Sequence, residues 1–364
     1  MPAVLVCAAL LLAASSAAAG PSFTIENDQF VRDGKPIHLR AGCVHYSRVP
    51  AEYWEDRLLR LKAMGLNSIQ TYVPWNWHEP VQGQFNWAGD RNLSHFLTTA
   101  QTVGLLVVMR AGPYMCGEWE FGGLPAWIFQ NGSIPIRTYS EPYISYVDSY
   151  WNEELMPILK KHLYSEGGNV VMVQCENEYG SYGDVSKHPN DFKYMQHLIS
   201  SARSILGKNV VLFTTDGGDI GYMTRGSFKG SSVYTVGDGC GNPQTCVDAQ
   251  KAFNPPGQSP FMCSECYTGW LTHWGEGGAN TSSSAPHVDS ILGQYDGSIS
   301  LYMGHGGTNF GFFSGANGGG GSSFQPHITS YLLWLMSQAT LKNSSGVGFD
   351  WYITYIKLRA QLHD

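Results

Sequence analysis

Short apolar runs along the chain alternate with longer stretches whose apolar residues recur every three or four positions, the mark of a strand followed by a helix, repeated. After an extended lead-in from Phe23 to Leu39, the pattern predicts strands at His38–Val44, Asn67–Tyr72, Leu105–Arg110, Val170–Cys175, Val210–Thr214, Val233–Val236, Pro260–Ser264 and Ser300–Met303. Between them it predicts helices at Tyr53–Met64, Asn92–Thr102, Pro142–Tyr164, Asp191–Leu206, Val247–Ala252 and Pro286–Tyr295. That number of strands with intervening helices, in roughly 300 residues, favours an α/β fold closed into a (β/α)8 barrel over an open doubly wound sheet. No Gly-x-Gly-x-x-Gly follows the first strand, which removes the main argument for a dinucleotide fold.

A barrel of this kind works at the carboxyl ends of its strands, and here those ends run into polar and aromatic clusters. The first gives His45-Tyr46-Ser47-Arg48, the second Tyr72 to Glu79, the third Gly112 to Glu120. The fourth gives Glu176-Asn177-Glu178-Tyr179-Gly180 and the seventh Glu265-Cys266-Tyr267-Thr268-Gly269-Trp270. Gly315–Ser323 reads as a flexible connection by composition.

Composition narrows the partner. Only 14% of the 364 residues are charged and the net charge is −7, so there is no basic field for nucleic acid or anionic lipid. A neutral partner fits better, and eleven tryptophans and twenty tyrosines supply rings that could stack on sugars, although most aromatic residues simply fill cores. The apolar stretch Val4–Ala14 followed by small residues to Ala19 resembles a cleavable export leader over residues 1–20. It is too short to span a bilayer, and no later run is long enough. Four Asn-x-Ser/Thr sequons, at Asn92, Asn131, Asn280 and Asn343, agree with export. Cys240 and Cys246 flank a turn-rich loop suited to a disulfide. Cys263 and Cys266 lack a second ligand pair, so they are expected to be packing thiols, and no metal is expected.

The chemistry suggested by the strand ends is glycoside hydrolysis. Retention of configuration needs one carboxylic acid to protonate the departing oxygen and one carboxylate to attack the anomeric carbon, roughly 5 Å apart. Glu178 and Glu265, just past strands four and seven, can face each other across a sugar ring, with Asn177 able to bond a hydroxyl or the nucleophile. A lone Glu at a strand end more often caps a helix or pairs with an arginine, and that reading holds for Glu118, Glu120 and Glu176 taken singly. The pair, with Asn177 and the nearby Trp270 and Trp274, points the other way. His45, His78 and His273 read as hydrogen-bonded scaffold, since a carboxylate pair already covers the proton traffic. No Gly-x-Ser-x-Gly supports a serine hydrolase.

Long stretches of the chain, from about Thr24 to Tyr331, resemble the glycoside hydrolase family 35 β-galactosidases. The resemblance is carried by Gln70–Pro80, Glu118–Trp127, Gln174–Tyr182, Ser264–Trp270 and Gly306–Gly311. It implies a TIM-barrel catalytic domain that releases terminal β-linked galactose without metal or organic cofactor, with Glu178 as acid/base and Glu265 as nucleophile. It further implies that Tyr72, Glu118, Asn177, Tyr267 and Tyr302 hold the galactose; Trp270 joins them as an expected substrate contact. Members from animals are lysosomal or secreted, which suits the leader.

The chain departs from the family pattern in three places. Cys266 stands where an aromatic residue is usual. After Thr329-Ser330-Tyr331 an acidic stretch with a sugar-facing tyrosine gives way to Leu332-Leu333-Trp334-Leu335-Met336, the tyrosine's place falling at Leu333. The family's β-sandwich domains do not follow the barrel. These departures predict a catalytic barrel over residues 21–340, a divergent tail over 341–364 with a final helix at Tyr352–Leu362, and impaired folding or binding relative to longer relatives. They keep two alternatives open: a galactose-binding variant with weak turnover, or another retaining β-glycosidase such as an endo-glucanase.

Overall fold

The computed structural model describes residues 20–267, 269–276, 285–318 and 324–329. The chain enters through an antiparallel meander, β1 (Phe23–Glu26), β2 (Gln29–Arg32) and β3 (Lys35–Ile37). The predicted extended lead-in is thus a small sheet in its own right. Its tight turns place Asn27, Asp28 and Asp33 in the left-handed region, which Asn and Asp tolerate because their short side chains bond locally.

The barrel follows. Its strands are β4 (Arg40–Val44), β5 (Ser68–Tyr72), β6 (Leu106–Arg110), β7 (Val170–Gln174), β8 (Val211–Gly217), β9 (Tyr234–Asp238), β10 (Met262–Tyr267) and, after a short β11 (Thr272–His273), β12 (Ser298–His305). All neighbours run parallel, and β12 pairs with β4 to close the ring. The predicted (β/α)8 barrel is the observed fold. Two further short strands, β13 (Ala316–Asn317) and β14 (Gln325–Thr329), form an antiparallel sheet with β11.

The strands are buried on both faces, as parallel barrel strands must be. Outside the barrel, helices bury apolar stripes against them. Trp54–Ala63 presents Trp54, Leu58 and Leu61. Leu93–Val103 is capped by Asn92, whose Oδ1 accepts from the His95 backbone N–H at 2.9 Å, and stops at Gly104 with φ 82°. The long helix predicted over Pro142–Tyr164 is broken into Tyr143–Asp148, a π-helical stretch Ser149–Leu155 and Met156–Lys160. Pro157 has no N–H to complete the ordinary ladder there. A helix that the periodicity did not predict, Ile220–Gly226, starts at the Asp219 cap between β8 and β9.

At the amino end of the barrel, Phe23 and Phe30 of the meander pack with Leu39, Val108, Met172, Phe213, Tyr234, Val236 and Met262. Phe30 sits edge-on to Tyr234, ring centroids 5.7 Å apart. This apolar plug closes the amino end and leaves the functional chemistry to the opposite mouth. The predicted disulfide joins Cys240 to Cys246, and Cys263 and Cys266 are buried free thiols. Among the described residues no helix is long and apolar enough to cross a membrane. The sequons at Asn280 and Asn343, the leader before Gly20 and the tail with Tyr331 and Leu333 lie outside the described residues.

Candidate active site

Four strands, β5, β6, β7 and β10, set the framework of the mouth. The fourth strand, β7, ends in a turn in which Glu176 and Glu178 both take left-handed conformations, φ 62° and 45°. Such backbone is costly for residues other than glycine and persists only where surroundings hold it. Here the brace is Glu176. Its carboxylate accepts from Arg137 Nε at 3.1 Å and Nη2 at 2.7 Å, from the Tyr194 hydroxyl at 2.8 Å and from the Asn177 backbone N–H at 2.9 Å. The arginine-pairing reading of Glu176 is therefore the observed one. The Glu178 backbone N–H donates to the Thr215 carbonyl at 3.0 Å, tying the turn to β8.

Glu265 lies inside β10 rather than beyond its end, because that strand runs three residues further than the apolar run predicts. Glu265 is 4% exposed, and its carboxylate is held on both oxygens. Tyr72, at the end of β5, donates to Oε1 at 2.8 Å; Tyr267 donates to Oε2 at 3.2 Å. The Arg110 guanidinium, ending β6, is ion-paired with Oε1 and also bonds Asn177 Oδ1. Arg110 is itself positioned by Gln174 Oε1 at 2.7 Å from its Nε, and lies 4.1 Å from the Tyr72 ring centroid.

Asn177 joins the two halves. Its Oδ1 accepts from Arg110, from Gln174 Nε2 at 3.0 Å and from the Tyr72 hydroxyl at 3.4 Å, while its Nδ2 donates to Glu178 Oε2 at 3.1 Å. Among the described residues no ion pair joins Glu178 to a cation, although Arg110 and Arg137 lie close enough to act on it. Burial and, after it, the negative charge of Glu265 push its carboxyl up to about 7. One carboxyl therefore keeps a proton near neutrality while its neighbour is ion-paired, which is the division of labour an acid and a nucleophile need.

A second loop brings Glu118 into the same mouth. Cys116, Gly117 and Glu118 run left-handed, φ 57°, 59° and 50°, and Arg48 pins them by donating to the Gly117 carbonyl at 2.6 Å and the Glu118 carbonyl at 3.1 Å. Tyr302 of β12 donates to Glu118 Oε2 at 2.7 Å. Burial first, then Glu265, push the Glu118 carboxyl up to about 7. Trp270 stands at the rim, 44% exposed and edge-on to Tyr267 at 5.6 Å.

The structure thus gathers Tyr72, Glu118, Asn177, Glu178, Glu265, Tyr267 and Tyr302 at one mouth, with Trp270 at its edge. The three histidines read as scaffold are hydrogen-bonded. His45 bonds Arg48 and Cys43, His78 bonds Tyr46 and the Asn86 carbonyl, and His273 bonds Glu276 and Asn317. Glu120 accepts from Asn76 at 3.2 Å. Sequence reasoning missed Arg110, Asp216 and Asp238. Arg110 was visible as a charged residue closing an apolar strand, whereas the two aspartates lie beyond the predicted ends of β8 and β9. Among the described residues no group of three or more His, Cys, Asp or Glu side chains could hold a metal ion.

The chain is similar to several known proteins. A Beta-galactosidase 8 of Oryza sativa subsp. japonica is 46% identical over 329 residues, covering 89% of this chain and 48% of its own length. A human Beta-galactosidase is 45% identical over 309 residues, 84% of this chain and 43% of its own. The chain thus spans about half the length of the curated relatives it matches. A solved β-D-glucuronidase of Dictyoglomus thermophilum shares the fold with a TM-score of 0.54 at 11% identity, covering 94% of this chain and 53% of that one. The profile of glycosyl hydrolases family 35 matches residues 29–355, and the chain belongs to that family.

Proposed function

We propose that the chain is the catalytic barrel, residues 21–340, of a retaining exo-β-galactosidase. Glu265 attacks the anomeric carbon of a terminal β-linked galactose while Glu178 gives its proton to the departing oxygen. Glu178 then takes a proton from water as that water displaces Glu265 from the sugar. Tyr72, Glu118, Asn177, Tyr267, Trp270 and Tyr302 hold the sugar. The reading needs no metal or organic cofactor. The galactose assignment rests on the resemblance of the motifs and on the names of the relatives.

The observation that carries the mechanism is the contrast between the two carboxyls joined through Asn177. Glu265 is ion-paired with Arg110 and accepts from two phenols, whereas Glu178 is pushed up to about 7 by burial and by Glu265. Export to the lysosome or the extracellular space fits the leader and the sequons.

The test is hydrolysis of a nitrophenyl β-galactoside by the full chain and by Glu265→Gln. Turnover abolished by that change supports the reading. Galactose binding without turnover in the unaltered chain sinks it in favour of a binding role, and preference for the glucoside over the galactoside makes it a different β-glycosidase.

A further inference from the structure

The mouth holds more carboxyls than cations to balance them. Arg110 is paired with Glu265, Arg137 with Glu176, and Arg48 serves the Glu118 loop. Glu178, Asp216 and Asp238 remain. Asp216 is turned toward the helical layer, where its Oδ1 accepts from the Gly180 backbone N–H at 2.7 Å. Asp238 is placed differently.

Strand register fixes its direction. Asp216 pairs with Gly237 and Gly217 with Asp238 across β8 and β9. A Cβ on Gly237 would strike Cys246 Sγ of the helix Pro243–Phe253 at 2.4 Å, so that position faces outward. Its neighbour Asp238 faces the barrel interior, since side chains alternate along a strand. On the other side, Gly237 pairs with Cys263 of β10, and the Gly239 backbone N–H donates to the Glu265 carbonyl at 2.9 Å. Asp238 therefore ends the strand beside the one carrying Glu265, with the Glu178 turn tied to β8 on its other flank. It is 5% exposed, and its Oδ2 has no hydrogen-bond partner among the described residues.

We propose that Asp238 is a positioning residue for the proton of Glu178: the two mouth carboxyls compete for it, and Asp238 lets Glu178 stay protonated to higher pH than it would alone. The charged groups around Asp238 are Glu178 from the β7 turn, Asp216 from β8, Glu265 from β10 and Arg110 from β6. Only Arg110 favours its ionised form, and that guanidinium is already engaged by Glu265 and Asn177. Burial, followed by Glu178 and Glu265, pushes Asp238 well above the usual carboxylate range. Two such acids lose their protons in steps that belong to the pair. Once either is ionised, its charge holds the remaining proton, and part of that proton population rests on Glu178.

The inference rests on Glu178 being the catalytic acid, and two measurements keep it separate from that reading. Asp238→Asn, which removes the competing acid, moves the alkaline limb of kcat/KM to lower pH by about half a unit or more. In the full chain carrying Glu178→Gln, carbon NMR titration of the Asp238 carboxyl gives a lower midpoint than in the unaltered chain, because coupling is reciprocal. An unchanged Asp238 midpoint overturns the inference, whether or not Asp238→Asn folds. A lowered midpoint with an unmoved alkaline limb upholds the pairing of the two acids and overturns Glu178 as the acid.

Discussion

The Tyr72 hydroxyl and Glu265 Oε1 stand 2.8 Å apart, in a bond whose donor belongs to β5 and whose acceptor to β10, on different sides of the barrel mouth. The phenol orients the carboxylate from one side while Arg110 neutralises it from beneath. A hydrogen bond to a charged acceptor contributes about 1.5–3 kcal/mol. Tyr72→Phe keeps the ring over Arg110 and loses that bond together with the longer 3.4 Å contact to Asn177 Oδ1, so kcat is expected to fall about 10- to 100-fold. Steady-state kinetics on a nitrophenyl β-galactoside checks this, and a kcat within twofold of the unaltered chain would show the phenol to be dispensable.

Arg110 is wholly buried between Glu265, Asn177 and Gln174. Removing one partner of a buried ion pair leaves the other charge uncompensated, at about 3–5 kcal/mol. Arg110→Met is expected to lower the urea midpoint accordingly. The double change Arg110→Met with Glu265→Gln recovers much of that loss, which identifies the stranded carboxylate as its source.

Glu178 and Glu118 make stability depend on pH with a definite sign. Both are pushed up to about 7 in the folded chain from an ordinary value of 4.5, so the native state binds more protons than the unfolded one across that interval. Their contribution is fully present below pH 4.5 and is lost as pH rises through about 7. Surface carboxylates lowered by their partners, such as Asp56 beside Arg60 and Arg57, change in the opposite sense at more acid pH and weakly, being exposed. Thermal melts are expected to show Glu178→Gln matching the unaltered chain at low pH and melting higher near pH 8. A melting difference that does not change with pH would contradict the raised Glu178.

Glu176 holds the turn on which Glu178 sits through four hydrogen bonds. Glu176→Gln removes the charge that Arg137 needs while keeping the shape. Activity is expected to fall through kcat, since the turn would no longer hold Glu178 against the scissile oxygen, with KM altered less than about threefold. A fall confined to KM would assign Glu176 to sugar binding instead.

The barrel was legible because each of its strands is a short apolar run between turn residues, and burial on both faces demands such runs. The polar ends of those strands were harder to place. Asp216 and Asp238 continue the ladders of β8 and β9 past the last apolar residue, and Ser264 and Glu265 interrupt the apolar run of β10 before Cys266 and Tyr267, so a reading by hydrophobicity stops each strand short. The place of Glu178, Glu265 and Asn177 at the mouth was nevertheless legible from strand order. Arg110 was not, because its role depends on Gln174 and Asn177 arriving from the adjacent strand. Glu118 shows the limit most clearly: nothing local distinguishes it from Glu120, and only the left-handed run pinned by Arg48 turns one inward while the other pairs with Asn76.

The plug made by Phe23 and Phe30 has a consequence for traffic. With the barrel interior packed by side chains and its amino end covered, whatever enters the mouth must leave by the doorway it came through. In the proposed reaction, a sugar seated against Glu265 would block the next arrival until it backs out past Trp270. Rates measured at rising product concentration accordingly report on the rim as much as on the floor.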